Sequence, residues 1–363
     1  MIKQKNKILF NVDEIIGKLS PHMFGANLEH IGEAIYKNGV WSEVIENRKF
    51  CGADKFTWET GVEHDHLDFG IIKPWQGFNP SAKHVMYAHS NSEFVVKGEE
   101  QINRFGSGKQ SQQITIREKS EKSRGIKQSI NVNFVNEAHQ FSIMLKGAGQ
   151  KVYIQIGELN FVIKSRSKWF EFKKNIKFDD LKTKKTLSIS INSDELFIAN
   201  CSLKPKNTNF GFRKDITKLI KEWVPSYLRW PGGNYLSGYN WINGIGDKNY
   251  RLPFYDYAWY EWENNDVGTD EFMQWCEYIG SEPMITMNTG NGTPEEAASW
   301  IEYITGSPKT KYGKLRAKNG RVKPYDLKTI FIGNEMFGGW QIGHTDAKTY
   351  ALKYDKFVKA IKK

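Results

Sequence analysis

The chain has 363 residues, 39% apolar and 26% charged, a balance that supports a sizeable core and excludes a disordered chain. No run approaches the ~18 consecutive apolar residues of a membrane span, and the basic start, Met1 to Phe10, meets Asn11, Asp13 and Glu14 too early for a secretory leader. Three cysteines, Cys51, Cys201 and Cys276, are odd in number and far apart. They exclude a disulfide scaffold and fit a reducing compartment, so a cytoplasmic protein with no membrane partner is expected.

The net charge is +11, and residues 91–210 hold 21 Lys+Arg against 12 Asp+Glu, so nearly all the excess lies in one segment. Lysines there take the polar positions of strand-like runs, as in Phe172-Lys-Lys-Asn-Ile-Lys and Lys182-Thr-Lys-Lys-Thr. A solvated sheet face is the favoured reading, with no nucleic-acid partner; attraction to acidic glycans or nucleic acid is the alternative.

In chain order, Met23-Phe-Gly-Ala-Asn is a candidate first strand. From about 91 to 208, alternation of period two recurs in Gln112–Arg117, Ser129–Val135, Gln140–Leu145, Val152–Ile156, Phe161–Lys164, Thr186–Ile191 and Leu196–Ala199. Turn residues separate these runs, the pattern of a β-sandwich. From about 210 onward, strands alternate with helices. Ile216, Leu219, Ile220 and Trp223 fall on one helical face, and Tyr227-Leu-Arg-Trp reads as a strand after Pro225. Phe272, Met273, Cys276 and Ile279 line a second helix stopped by Gly280, and Pro283-Met-Ile-Thr-Met is a buried strand. Thr293-Pro-Glu-Glu296 opens a third helix as a capping box. Thr329-Ile-Phe-Ile is a fourth strand, and a last helix runs from about Asp346 with Tyr350, Tyr354, Phe357, Val358 and Ile361 on one side. Such alternation predicts a parallel sheet with crossover helices, interrupted after its first strand by the β-rich insert.

In parallel β/α folds the chemistry sits at the carboxyl ends of the strands. Those ends carry Asn27-Leu-Glu29-His30, Arg229-Trp-Pro-Gly-Gly-Asn234, Asn288-Thr-Gly-Asn-Gly and Asn334-Glu335. No strand end presents a Cys/His cluster, and no glycine-rich loop has phosphate-binding spacing, so neither a metal nor a cofactor is expected. Two carboxylates across a sugar ring are the usual equipment for glycoside hydrolysis, which on spacing alone would pair Glu29 with Glu335. Aromatic residues crowd the segment after the second strand, from Trp230 to Trp262; they are either a wall of core side chains or rings on which sugar C–H faces stack.

Pro21-His-Met-Phe-Gly-Ala-Asn-Leu-Glu-His-Ile-Gly, Leu228-Arg-Trp-Pro-Gly-Gly-Asn-Tyr, Asn288-Thr-Gly-Asn-Gly-Thr-Pro-Glu-Glu-Ala and Gly333-Asn-Glu-Met-Phe-Gly-Gly-Trp-Gln-Ile-Gly-His resemble, in this order, the α-L-arabinofuranosidases of glycoside hydrolase family 51. The resemblance covers about 1–50 and 210–363. It implies an α/β fold: the first half of a (β/α)8 TIM barrel, with an inserted all-β sandwich that looks like a carbohydrate-binding module. The expected organisation is 1–60 for the first barrel strand and its loop, 61–208 for the sandwich, and 209–363 for barrel units two to four.

The same resemblance implies a retaining, exo-acting enzyme that releases terminal arabinofuranosyl residues from arabinan or arabinoxylan, and a homo-oligomer for the full-length protein. Glu335 would be the general acid/base, a task for which burial would favour the protonated carboxyl. Asn334 would hold the sugar 2-hydroxyl. Glu29 would bind sugar hydroxyls rather than attack, and Asn234 and Trp259 would complete the glycone pocket. The nucleophilic Glu of this family follows a seventh strand, and strands five to eight are not among these residues. The chain is therefore expected to be inactive alone and to expose the edges of a half-barrel.

Each residue has a plainer reading. Glu29 would pair with Arg229, Asn234 would serve only its turn, and Trp259 would pack in the core. His64-Asp65-His66 with Asp68 has metal-like spacing but is more simply a hydrated turn. His344 would orient a loop or a ligand. The rival functions are a non-catalytic carbohydrate-binding protein and another retaining barrel glycosidase.

Overall fold

The computed structural model describes residues 13–15, 17–52, 67–91 and 110–363. A short strand, β1 (Ala26–Asn27), opens the chain and is followed by ten sandwich strands. These are β2 (Gln76–Phe78), β3 (Val85–Asn91), β4 (Gln110–Ile116), β5 (Arg124–Asn131), β6 (His139–Gly147), β7 (Lys151–Ile156), β8 (Leu159–Lys164), β9 (Phe170–Ile176), β10 (Lys184–Ile191) and β11 (Glu195–Pro205). They form two five-stranded antiparallel sheets, ordered β2-β5-β10-β7-β8 and β3-β4-β11-β6-β9. Alternation explains the layering: Val152, Ile154 and Ile156 point inward from β7 toward Leu187 and Ile189 of β10, and meet Phe141, Ile143 and Leu145 of β6 in a common core. Each such side chain contributes about 1.5–3 kcal/mol by leaving water. Strands β2 and β3 come ahead of the run of alternation read from about residue 91.

The second part contains α1 (Lys214–Trp223), β12 (Tyr227–Trp230), the hairpin strands β13 (Phe254–Asp256) and β14 (Glu261–Glu263), and α2 (Thr269–Ile279). It continues with β15 (Glu282–Met287), α3 (Pro294–Thr305), α4 (Lys311–Lys318), β16 (Thr329–Ile332) and α5 (Ala347–Ile361). Strands β1, β12, β15 and β16 are parallel neighbours in that order, the four-unit half of a β/α barrel with the sandwich inserted after its first strand. Phe272, Met273, Cys276 and Ile279 are buried on α2, and Gly280 closes that helix at φ 82°. Thr293 Oγ1 accepts from Glu296 N at 3.2 Å while Glu296 Oε2 accepts from Thr293 N at 2.9 Å, the reciprocal cap read from the sequence.

The apolar face read for α1 is present but only partly covered. Its helix forms, but Leu219 and Trp223 are about 60% exposed. Among the described residues β1 and β16 each have a single strand neighbour, and α5 leaves Leu352 and Tyr354 exposed. No helix among the described residues is long and apolar enough to cross a membrane.

A buried ionic seam joins the two parts. Arg48 donates from Nε and Nη2 to the two oxygens of Asp266, both at 2.5 Å. Lys49 donates to the carbonyls of Arg251 and Asn264. A bulge in β11 between Ala199 and Ser202 turns out Asn200, whose Nδ2 donates to the Asn249 carbonyl at 2.9 Å.

Candidate active site

The four strand ends converge on one polar cluster. Arg229, on β12, donates from Nε to Thr286 Oγ1 of β15 at 3.0 Å and from Nη2 to Asn334 Oδ1 at 2.8 Å. Asn334 follows β16 and donates from Nδ2 to Asn234 Oδ1 at 3.3 Å. Its carbonyl accepts from Gln341 Nε2 at 2.8 Å, and the Gln341 amide oxygen accepts from Ser237 at 3.0 Å. Arg229, Asn334 and Asn234 thus form one hydrogen-bonded chain between the ends of β12 and β16, joined to β15 through Thr286. Burial lowers the proton affinity of Arg229, and the carboxylates of Glu29 and Glu335 both oppose that shift. Arg229 therefore lies in the field of the two candidate carboxylates.

Glu335 comes next in the chain and adopts φ 44°, a left-handed conformation uncommon for a residue with a side chain. Its carbonyl accepts from Gly338 N at 2.8 Å, and its Oε2 accepts from the Trp340 indole at 3.1 Å. The expectation of a buried acid is not met, because the Glu335 side chain is exposed. The groups around it are the open rim of four strand ends, with Phe337 and Trp340 packed edge to face at 5.8 Å and largely exposed.

Glu29 follows β1 and accepts from the Trp259 indole at 3.4 Å. The turn after β12 presses against it. A Cβ on Gly232, which adopts φ 120°, would lie 2.4 Å from Glu29 Cβ, and one on Gly233 would lie 2.9 Å from both carboxylate oxygens. Glycine is required there because any side chain would displace Glu29. Beneath Glu29, buried His30 contacts Glu263 Oε2 through Nδ1 at 2.6 Å and Trp230 Nε1 through Nε2 at 3.1 Å. The indole N–H only donates, so Nε2 accepts and Nδ1 carries the proton given to Glu263. Glu263 also accepts from the Tyr36 hydroxyl at 2.5 Å and from Asn265 N at 2.6 Å.

The structure thus joins Glu29 to Trp259, and Asn234 to Asn334. The plain alternative of a Glu29–Arg229 ion pair is not what forms, because Arg229 is spent on Thr286 and Asn334. Asn234 is more than a turn residue, since its side chain accepts from Asn334. Trp259 does both jobs, packing partly on the core and reaching Glu29. Asn288 is a turn anchor, accepting from Gly290 N and Gly292 N and donating to the Tyr239 carbonyl. Of the aromatic stripe, Trp230, Tyr235, Tyr239, Trp241 and Phe254 are core, whereas Tyr257 and Tyr260 are exposed. His344 contacts the Gln341 carbonyl through Nδ1 at 3.0 Å. Sequence reasoning missed the tethers Thr286, Trp340 and Gln341, for which only proximity to a strand end was a signal. Among the described residues no group of three His, Cys, Asp or Glu could hold a metal; His64, Asp65 and His66 lie outside the described residues.

Four parallel strands with crossover helices, whose ends gather two carboxylates, amides and rings, define the class of scaffold: a β/α barrel. Residues 219–363 match the α-L-arabinofuranosidase 1 domain, and over its barrel portion the chain resembles the family 51 α-L-arabinofuranosidases, as its motifs implied. It is 44% identical over 158 residues to the probable α-L-arabinofuranosidase C of Aspergillus clavatus, which is 44% of this chain and 31% of that protein. To the intracellular exo-α-(1->5)-L-arabinofuranosidase of Bifidobacterium longum it is 41% identical over 152 residues, 42% of this chain and 27% of that one. The matches therefore span about a third of these relatives' length. The arabinose-bound MgGH51 α-L-arabinofuranosidase superposes with a TM-score of 0.74 at 19% identity, covering 94% of this chain and 57% of that one. At that identity the likeness is one of fold, and it includes the sandwich as well as the half-barrel.

Proposed function

We propose that this chain carries the acid/base half of a retaining, exo-acting α-L-arabinofuranosidase that releases terminal arabinofuranosyl residues from arabinan or arabinoxylan. The observation that carries the reading is the Arg229–Asn334–Asn234 chain beside Glu335, with Glu29 and Trp259 across the same rim. In this reading Glu335 protonates the leaving oxygen and later activates water. Asn334, locked by Arg229, holds the sugar 2-hydroxyl, a contact that strengthens as the oxocarbenium-like charge develops. Glu29, Asn234 and Trp259 bind the sugar hydroxyls and ring. A retaining displacement needs a second carboxyl about 5–5.5 Å from the first; the reading assigns it to a further barrel strand beyond the four units described. An intracellular place of action is supported by the name of the Bifidobacterium relative.

The test is hydrolysis of 4-nitrophenyl α-L-arabinofuranoside by the complete gene product and its Glu335→Ala variant, with kcat on natural oligosaccharides measured beside it. We expect the variant to lose about 10²–10⁴-fold on poor leaving groups, with unchanged circular dichroism and partial rescue by azide. Full activity in the variant, or hydrolysis of β-xylosides but not arabinofuranosides, would overturn the reading. The exposure of Glu335 favours one rival, a non-catalytic carbohydrate-binding protein. That rival predicts no hydrolysis by the complete product and unchanged glycan affinity in Glu335→Ala.

A further inference from the structure

A second cleft, of about 280 Å³, lies between the sandwich and the barrel and shares no residue with the Glu335 site. Its floor is built from three neighbouring strands. Ser202, Ser142 and Lys173 lie in register across β11, β6 and β9, and Lys204 pairs with Gln140 two residues along. The facing wall is the barrel loop 246–249.

Nearly every charge in this cleft is already committed. Arg48 is bonded to Asp266, Lys173 pairs with Glu171 at 2.8 Å, and Lys248 pairs with Glu271 at 2.6 Å. Asp247 accepts from Asn249 N, and Glu43 accepts from the Ser202 hydroxyl and from Ile45 N and Leu203 N. Lys204 is left over. Among the described residues its ammonium makes no hydrogen bond and no ion pair, although burial depresses its proton affinity and Glu43 only partly opposes this. The side chains of Gln140 and Ser142 also have no hydrogen bond among the described residues.

A partly buried cation without a partner is costly, and a ligand anion would relieve that cost. Lys204 offers one ammonium without an ion pair among the described residues, while Glu43 and Asp247 of the same cleft are anions held only by N–H and O–H donors, so a single carboxylate fits better than a phosphate monoester, which carries about −1.5 to −2. The neighbouring hydroxyl and amide are groups that sugar hydroxyls satisfy. We propose that this cleft binds a uronate-bearing oligosaccharide, with its carboxylate on Lys204 and its hydroxyls on Gln140 and Ser142. The proposal goes beyond the arabinofuranosidase reading and does not depend on Glu335.

The experiment is calorimetric titration of the complete gene product with α-1,4-linked trigalacturonate and with its methyl ester, which keeps the shape and removes the charge. We expect the acid to bind about tenfold more tightly than the ester. Lys204→Met should erase that preference and Lys204→Arg should keep it. Ser142→Phe, which fills the cleft without changing its charge, should abolish binding of both, and Glu335→Gln should change neither. Thermal melting confirms that each variant folds. Equal affinity for acid and ester, a preference that survives Lys204→Met, or no binding at about 10 mM trigalacturonate would overturn the proposal. So would displacement of trigalacturonate by a thymidine oligonucleotide at lower concentration than by the sugar itself, which would assign the basic segment to nucleic acid.

Discussion

Arg229 donates to Asn334 Oδ1 across 2.8 Å, tying the second strand of the half-barrel to the loop after its fourth. The bond fixes which face of the Asn334 amide points where: the oxygen is held by the guanidinium, and the NH2 group is turned toward Asn234. Arg229 is thus a positioning residue for the proposed 2-hydroxyl contact.

Arg229→Met should lower kcat/KM of the complete enzyme on an aryl arabinofuranoside by about 10–100-fold, the cost of one charge-assisted hydrogen bond. If Asn334 acts mainly in the transition state, kcat falls and KM changes little. A variant with wild-type kcat would show that Asn334 needs no such hold.

Gly232 packs against Glu29 so closely that Gly232→Ala must move one of them. Its φ of 120° adds backbone strain for any L side chain. We expect Gly232→Ala to lose about 1–3 kcal/mol of stability by urea melting and to raise KM through displacement of Glu29. Unchanged KM would separate Glu29 from sugar binding.

Glu263 accepts from His30, Tyr36 and Asn265 inside the protein. Glu263→Ala would leave three buried donors unsatisfied, so a loss of at least about 2 kcal/mol is expected. Tyr36→Phe, which removes one of those donors and leaves only Val267 N without its acceptor, should cost less in the same denaturant series.

Two buried carboxyls respond to pH in opposite directions. Burial pushes Asp256 up to about 7; the N–H groups of Ala258 and Trp259 and the ring of His30 pull it down, and Glu263 adds to the rise. Asp256 therefore keeps a proton that the unfolded chain loses near pH 4. Its stabilising contribution is full below that pH and fades as pH rises through about 7. Burial alone would raise Glu271, but Arg251 and Lys248 outweigh it and hold it at about 2. Its contribution is present above the ordinary Glu range and is lost as pH falls toward 2. Asp256→Asn should thus stabilise the protein at pH 8 by about 1–3 kcal/mol and much less at pH 5. Equal effects at the two pH values in urea melts would refute this.

Much of the half-barrel was legible in the chain. Inward-facing Ile and Leu at period two specified the sandwich strands, and Thr293-Pro-Glu-Glu296 specified a helix start, because strand alternation and capping are local in sequence. Glu29, Asn234, Asn334 and Glu335 were legible because they lie just past apolar strands, whereas Trp259 was named only by the family resemblance. The hairpin β13–β14 and helix α4 were not, since Phe254–Glu263 mixes polar and aromatic residues and Lys311–Lys318 has little apolar face.

What the residues alone determined is the inventory: a β-rich insert, four strand–helix units, and Glu29, Asn234, Asn334 and Glu335 at their ends. What only the tertiary structure decided is the wiring. Arg229 chooses Asn334 rather than Glu29, His30 serves Glu263, and Lys204, between two modules, makes no hydrogen bond or ion pair among the described residues. Hydrogen-bond partners such as Arg229 and Asn334 are 105 residues apart along the chain. Their choice depends on which strands become neighbours and on how much water each group loses, and neither is encoded in local spacing.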